Sequence, residues 1–209
     1  MARPAKLLFV TGTGTEVGKT WVGSALLGEA RRSGLTVAAR KPLQSFSPGD
    51  RITDAAVLAE ATGEPPSSVC PPERAYPAPM APPMAGAALG RPVPSLTELV
   101  GWLESSFPEC DLGLVEGAGG VASPLGSDCD NADLARALEP DLVVLIADPV
   151  LGAINSVRLC MAALATMPTV VHLNRFEPAD DLHRRNLAWL EDQDHFTVTT
   201  TIGSLLALV

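Results

Sequence analysis

Apolar and polar positions along the chain alternate between two periods. Short apolar or β-branched runs at 7–10, 36–40, 112–115, 142–147 and 169–173 read as strands buried on both faces. Longer stretches of helical period lie between them. Helices are predicted over 19–32, about 52–62, 95–107, 132–138, 154–166 and 180–191, with Gly34 and Gly63 ending the first two. Ser95 is placed to cap its helix, and Leu96, Leu99, Val100 and Leu103 then follow at i, i+3, i+4 and i+7 spacing. A last strand is predicted at 197–202. Strand and helix in alternation predict a single α/β domain over residues 1–209, three layers deep, with a mostly parallel sheet of six or seven strands flanked by helices.

One stretch breaks this rhythm. Ten of the nineteen prolines fall between residues 65 and 94, and proline supplies no backbone donor to a ladder or a helix interior. That stretch is expected to hold neither regular helix nor central strand. Because the sheet rhythm resumes beyond it, it reads as an excursion over one edge of the domain and not as a linker.

Composition narrows the picture. Hydrophobic residues make up 46% of the chain but aromatic ones only 4%, so the core is built mainly from Ala, Val and Leu. Twenty-four acidic residues against fifteen basic ones leave a net charge of −9, which repels a phosphate backbone and excludes nucleic acid as a partner. The apolar runs at 142–147 and 205–209 fall far short of the roughly 20 residues of a membrane span, and nothing at the start resembles a secretory signal. A cytoplasmic location is expected. Cys70, Cys110, Cys129 and Cys160 show no Cys-x-x-Cys spacing and are read as reduced, with no metal or redox role.

Between the first strand and helix lies Gly12-Thr13-Gly14-Thr15-Glu16-Val17-Gly18-Lys19-Thr20, where a phosphate-binding P-loop belongs. A phosphate chain needs inward backbone N–H groups, small residues that let the main chain approach, a positive helix end and one long cation. Gly14, Gly18 and Lys19 meet those needs, and Thr20 stands where Mg²⁺ takes a hydroxyl ligand. The first glycine lies one position earlier than the common eight-residue form requires. A second carboxylate is needed at a neighbouring strand end. Glu116 and Asp148 both end apolar runs; Glu116 is preferred because Gly117-Ala118-Gly119-Gly120 follows, while Asp148 before Pro149 also suits a turn. Lys41, held extended by Pro42, ends the second strand on the ligand-binding side, or is an ordinary solvated lysine. Asp54 suits either a metal or the dipole of its helix. His172, His183 and His195 form no metal spacing, and no nucleophile elbow is present.

These residues resemble the dethiobiotin synthetase family. The motifs run in order: Thr11 to Thr20, Lys41-Pro42-Leu43-Gln44-Ser45, Asp54, Tyr76-Pro77-Ala78-Pro79-Met80-Ala81-Pro82, Val115-Glu116-Gly117-Ala118-Gly119-Gly120 and Leu151-Gly152-Ala153-Ile154-Asn155. The resemblance implies a P-loop NTPase-type fold and an ATP-dependent, Mg²⁺-requiring ligase. CO₂ adds to one amine of 7,8-diaminononanoate, ATP phosphorylates the carbamate, and the second amine closes the ring. It implies catalytic roles for Lys19, Lys41 and Ser45, and nucleotide contacts from Gly14, Thr15, Glu16, Val17, Gly18, Lys19, Thr20, Glu116, Gly117, Gly119 and Asn174. Metal ligation falls to Thr20, Asp54 and Glu116. Substrate binding falls to Lys41, Ser45 and, across a homodimer boundary, Gly152, Ala153, Ile154 and Asn155. The chain departs from the family at Gly14 (often Asp), Ser156 (often His), Arg175 (an acidic residue) and a tail without the usual proline. Two relatives compete. Partition and iron-protein switches carry a second lysine where Gly14 stands, and cobyrinate-type amidoligases carry a glutaminase domain for which this chain has no room.

Overall fold

In the computed structural model, which describes residues 3–209, strand β1 (Lys6–Gly12) runs into the glycine-rich loop and then helix α1 (Lys19–Arg32). Strand β2 (Val37–Arg40) and the two-residue β3 (Gln44–Ser45) precede helix α2 (Asp54–Thr62), which starts at a Thr53 side-chain cap and ends at Gly63 with positive φ. Helix α3 (Pro66–Val69), strand β4 (Ala75–Tyr76) and helix α4 (Pro82–Leu89) make up the proline-rich stretch. Helix α5 (Leu96–Ser106), strand β5 (Leu112–Glu116), helix α6 (Asn131–Leu138) and strand β6 (Leu142–Ala147) follow. The chain finishes with α7 (Ala153–Ala163), β7 (Thr169–Leu173), α8 (Asp181–Asp192), β8 (Val198–Thr199) and α9 (Ile202–Leu206).

Six strands form one sheet in the order β2-β5-β1-β6-β7-β8, every pair parallel. Strand residues alternate between its two faces. Leu8 and Val10 of β1 join Val22, Leu26 and Leu27 of α1 and Leu58 of α2 in one cluster. Phe9 joins Leu99 and Leu103 of α5, Leu134 of α6 and Leu190 of α8 in the other. The two clusters are the interfaces of a helix–sheet–helix sandwich. Register pairs Val10 with Glu116, and Arg40 with Val115, so Glu116 and Lys41 emerge at the strand ends where the glycine-rich loop begins.

Two expectations are corrected. The proline-rich stretch does contain regular helix, because Pro82 and Pro83 open α4 at positions whose N–H groups lack intrahelical acceptors in any helix. It also lays β4 beside β3 as a second, two-stranded parallel sheet. The last strand is only two residues long. A reciprocal cap between Thr201 and Ser204 starts α9 at Ile202, where the strand had been expected to end. All four cysteines are free, and no described helix is long and apolar enough to cross a membrane.

Candidate active site

The glycine-rich loop turns through two residues at positive φ, Glu16 at 62° and Gly18 at 94°. Gly18 has a second constraint: a Cβ built there would lie 2.1 Å from Asn174 Nδ2. Only glycine satisfies both. Gly18 is also the N-cap of α1 and offers no side-chain acceptor, so the N–H groups of the first turn face the loop's concavity, as an anion requires. Val17 is buried beneath the loop. Around Gly14 a built Cβ meets nothing within 4 Å, so packing does not dictate glycine there.

Two lysines enter this concavity. Lys19 Nζ donates to Gly14 O at 2.8 Å, and burial, aided by the nearby Lys41 charge, lowers its pKa to about 8 against the pull of Glu116 and Asp54. Lys41 is 1% exposed, not a solvated strand end. Its ammonium donates to Glu116 Oε1 at 2.5 Å and to Gly117 O at 2.9 Å, and lies 2.8 Å from Asp54 Oδ2. Burial works against that charge, but Glu116 and Asp54 outweigh it and hold the ammonium above the ordinary lysine range. The Lys41 ammonium in turn holds the Asp54 carboxyl below its usual range, so this acid does more than favour the dipole of α2.

Glu116 is wholly buried at the end of β5, and burial pushes its carboxyl above the usual carboxylate range despite Lys41. Thr20 Oγ1 donates to its Oε1 at 2.8 Å, while its Oε2 is buried without a hydrogen-bond partner. An orphaned carboxylate oxygen is costly unless a cation completes it. Thr20, Asp54 and Glu116 supply the hard oxygen donors that Mg²⁺ prefers. Among the described residues no group of three or more His, Cys, Asp or Glu side chains gathers to hold a metal. An ion here would need further oxygens from phosphate and water.

The other strand-end acid has a different fate. Both oxygens of Asp148 lie 3.0 Å from Arg175 Nη1, and Asp148 does not line the cleft. The cleft itself, about 930 Å³, runs from Thr15 and Lys19 past Lys41 to Ser45, with Gly119 and Arg175 on its walls. Ser45 Oγ donates to Met80 O at 2.6 Å, which ties β3 to the start of α4. Asn174 is turned inward: its Nδ2 donates to Val17 O at 2.9 Å and it does not line the cleft. Gly152, Ala153, Ile154 and Asn155 open α7 outside the cleft, beside the 86%-exposed Leu151. Within one chain the two halves of the expected substrate site are not brought together. His172 is buried against Thr199 Oγ1 at 2.9 Å, and burial lowers its pKa to about 4.

Sequence reasoning missed Asn131. Wholly buried at the start of α6, it donates from Nδ2 to Ala118 O (2.7 Å), Gly120 O (2.8 Å) and Ser123 O (3.3 Å), and its Oδ1 accepts from Ala118 N (3.1 Å). This one side chain sets the shape of the loop after Glu116. Gly117 must be glycine because a Cβ there would lie 2.2 Å from Asn131 Oδ1. In the sequence, an asparagine after Asp130 reads only as part of a helix start.

A family model described as an AAA domain matches residues 6–181. An ATP-dependent dethiobiotin synthetase BioD of Anaeromyxobacter dehalogenans is 39% identical, with 96% of each chain covered. One of Chromohalobacter salexigens is 42% identical over 75% of this chain and 67% of its own. Among solved structures, a plasmid partition protein of Borrelia burgdorferi aligns with a TM-score of 0.60 at 12% identity, covering 99% of this chain and 98% of its own. The signal recognition particle receptor FtsY of Elizabethkingia anophelis aligns at 0.54 and 16%, covering 98% and 62%. These structural likenesses show a shared fold, and the extent of identity to the curated relatives is decisive for the family: this chain belongs to the ATP-dependent dethiobiotin synthetases.

Proposed function

We propose that this chain uses ATP and CO₂ to carboxylate 7,8-diaminononanoate and close its ureido ring, releasing dethiobiotin, ADP and phosphate. The observation that carries the reading is the convergence of Thr20 and Lys41 on the buried Glu116, with Asp54 beside Lys41, under the cleft that Lys19, Thr20, Lys41 and Asp54 line. That cluster is suited to an acceptor oxygen facing a transferable phosphoryl group. One amine takes up CO₂ and loses a proton to give a carbamate. A carbamate oxygen takes the γ-phosphoryl from ATP, and the second amine then attacks the carbonyl carbon, expelling phosphate as the ring closes.

Each step calls on residues of the cleft. Lys41, kept protonated by its carboxylates, would exchange one of its three partners for a carbamate oxygen and stabilise the charge that develops during transfer. Lys19, whose charge is weakened by burial, regains it beside a phosphate and exchanges Gly14 O for phosphate oxygens. Ser45 and Glu16 line the cleft; the Ser45 hydroxyl would exchange Met80 O for a carbamate oxygen, and Glu16 would lie beside the phosphates. Thr20, Asp54 and Glu116, together with phosphate oxygens, would hold Mg²⁺, which would supply charge neutralisation on the transferring group.

The substrate's carboxylate tail needs a separate site. The start of α7 has an N-cap glycine at φ 93° with no side-chain cap, and exposed Val150 and Leu151 precede it. These features support docking of Gly152 to Asn155 from a second copy, giving a homodimer with shared sites. Detection of dethiobiotin by mass spectrometry, from purified protein with ATP, Mg²⁺, bicarbonate and the diamine, tests the reaction. Absence of product alongside ATP hydrolysis stimulated by some other partner refutes it. Mixing a Lys41 variant with an Asn155 variant tests the shared site: activity returns only if each dimer can pair an intact half from each copy.

A further inference from the structure

Trp21 follows Thr20 on α1, lines the same cleft, and is 60% exposed. The other two tryptophans each have a guanidinium against the ring: that of Arg74 lies 4.6 Å over Trp102, and that of Arg158 lies 5.8 Å from Trp189, which is itself 45% exposed. No guanidinium covers Trp21 among the described residues. A helical side chain leans towards the N-terminus of its helix, so this indole is carried towards the glycine-rich loop and not away from it. Lys19 serves the terminal phosphates in a loop of this kind. Two residues further along, the helix has turned by about 200°, so the Trp21 side chain leaves α1 on the side away from Lys19.

The polar groups near that end are partly engaged. Asn174, expected from the sequence to contact the nucleotide, gives its Nδ2 to Val17 O and is 5% exposed. Arg175 spans Asp148 and, at 3.1 Å, the carbonyl of Glu16. We propose that Trp21 is the platform on which the nucleobase stacks, and that the base is held by its face instead of by its hydrogen-bonding edge. Every base has such a face, so selectivity among nucleoside triphosphates is shallow. This inference rests on the nucleotide-binding reading above.

Calorimetric titration of the full chain with Mg²⁺ and ATP, GTP, CTP or inorganic tripolyphosphate separates the two. Wild type is expected to bind the three nucleotides within about tenfold of one another, as face stacking implies. Trp21→Ala is expected to weaken all three by about ten- to a hundredfold, the range of one lost base–aromatic stack, and to leave tripolyphosphate within about twofold. Trp21→Phe keeps a ring and most of the affinity. The platform is overturned if Trp21→Ala binds ATP like wild type, if it loses tripolyphosphate as severely as ATP, or if wild type rejects GTP and CTP by more than about a hundredfold. Wild type that binds neither ATP nor tripolyphosphate overturns the nucleotide reading itself, and the platform with it.

Discussion

Replacing Asn131 by alanine removes a single side chain that holds four hydrogen bonds to the loop following Glu116. That loop also closes on the phosphate loop, since Val121 N donates to Gly12 O at 3.0 Å and Gly117 N to Val10 O at 3.0 Å. Truncation leaves Ala118 N–H, Ala118 O and Ser123 O without that partner, while Gly120 O keeps Ser123 N at 3.0 Å. Each unpaired buried group costs about 1–3 kcal/mol, and water reaching the half-buried Ala118 relieves part of that, so a loss of about 3 kcal/mol is expected. For a chain of this size the melting temperature then falls by about 6–12 °C. Urea unfolding followed by circular dichroism measures the loss. Gly117→Ala supplies a coupled probe, because its new Cβ collides with Asn131 Oδ1 and loses that clash when Asn131 is alanine. The double variant is therefore expected to lose less than the sum of the two singles. A loss below about 1 kcal/mol for Asn131→Ala, or strict additivity of the pair, refutes the assignment of Asn131 as the pin of this loop.

Other consequences are equally direct. Lys41→Gln is expected to lower turnover by at least about a hundredfold more than ATP affinity, measured by product formation and calorimetry; equal losses assign Lys41 to nucleotide binding alone. It also leaves Glu116 buried without its cation, so denaturant stability falls by about 3–5 kcal/mol, and an unchanged midpoint contradicts the buried pair. ATP affinity is expected to decline as pH rises past about 8, where Lys19 loses its proton, and a flat profile across that range removes Lys19 from phosphate binding. His172 takes up a proton in the unfolded chain near its ordinary value but in the folded one only near 4. The stability it contributes is complete above about pH 6.5 and is lost as pH falls towards about 4, by at most roughly 3 kcal/mol. The wild-type urea midpoint should fall across that window more steeply than that of His172→Leu, and parallel curves contradict the depressed value.

The sheet was legible because its strands are buried on both faces and so read as unbroken apolar runs; 142–147 is the clearest case. Strand-end chemistry was legible for the same reason, since Lys41 and Glu116 stand where an apolar run stops. Proline content misled at α4 because the rule against proline governs helix interiors and not their first turn. The tail misled because Val198 and Thr199 have strand propensity, while the cap at Thr201 turns the next residues into helix. Asn131 and the inward turn of Asn174 depend on partners distant in the sequence, so no local pattern announces them. Trp21 stood beside the motif in plain view, yet an exposed aromatic acquires meaning only once the cleft around it is known.

The central claim is that a carbamate oxygen is phosphorylated in this cleft and leaves with phosphate when the ring closes. Fresh CO₂ labelled with ¹³C and ¹⁸O tests it in one short incubation with unlabelled ATP, Mg²⁺ and 7,8-diaminononanoate. Carbamate phosphorylation yields dethiobiotin carrying ¹³C in its ureido carbonyl together with inorganic phosphate carrying one ¹⁸O atom, in matching amounts. Labelled dethiobiotin accompanied by phosphate without ¹⁸O, or phosphate released with no labelled product, would contradict it.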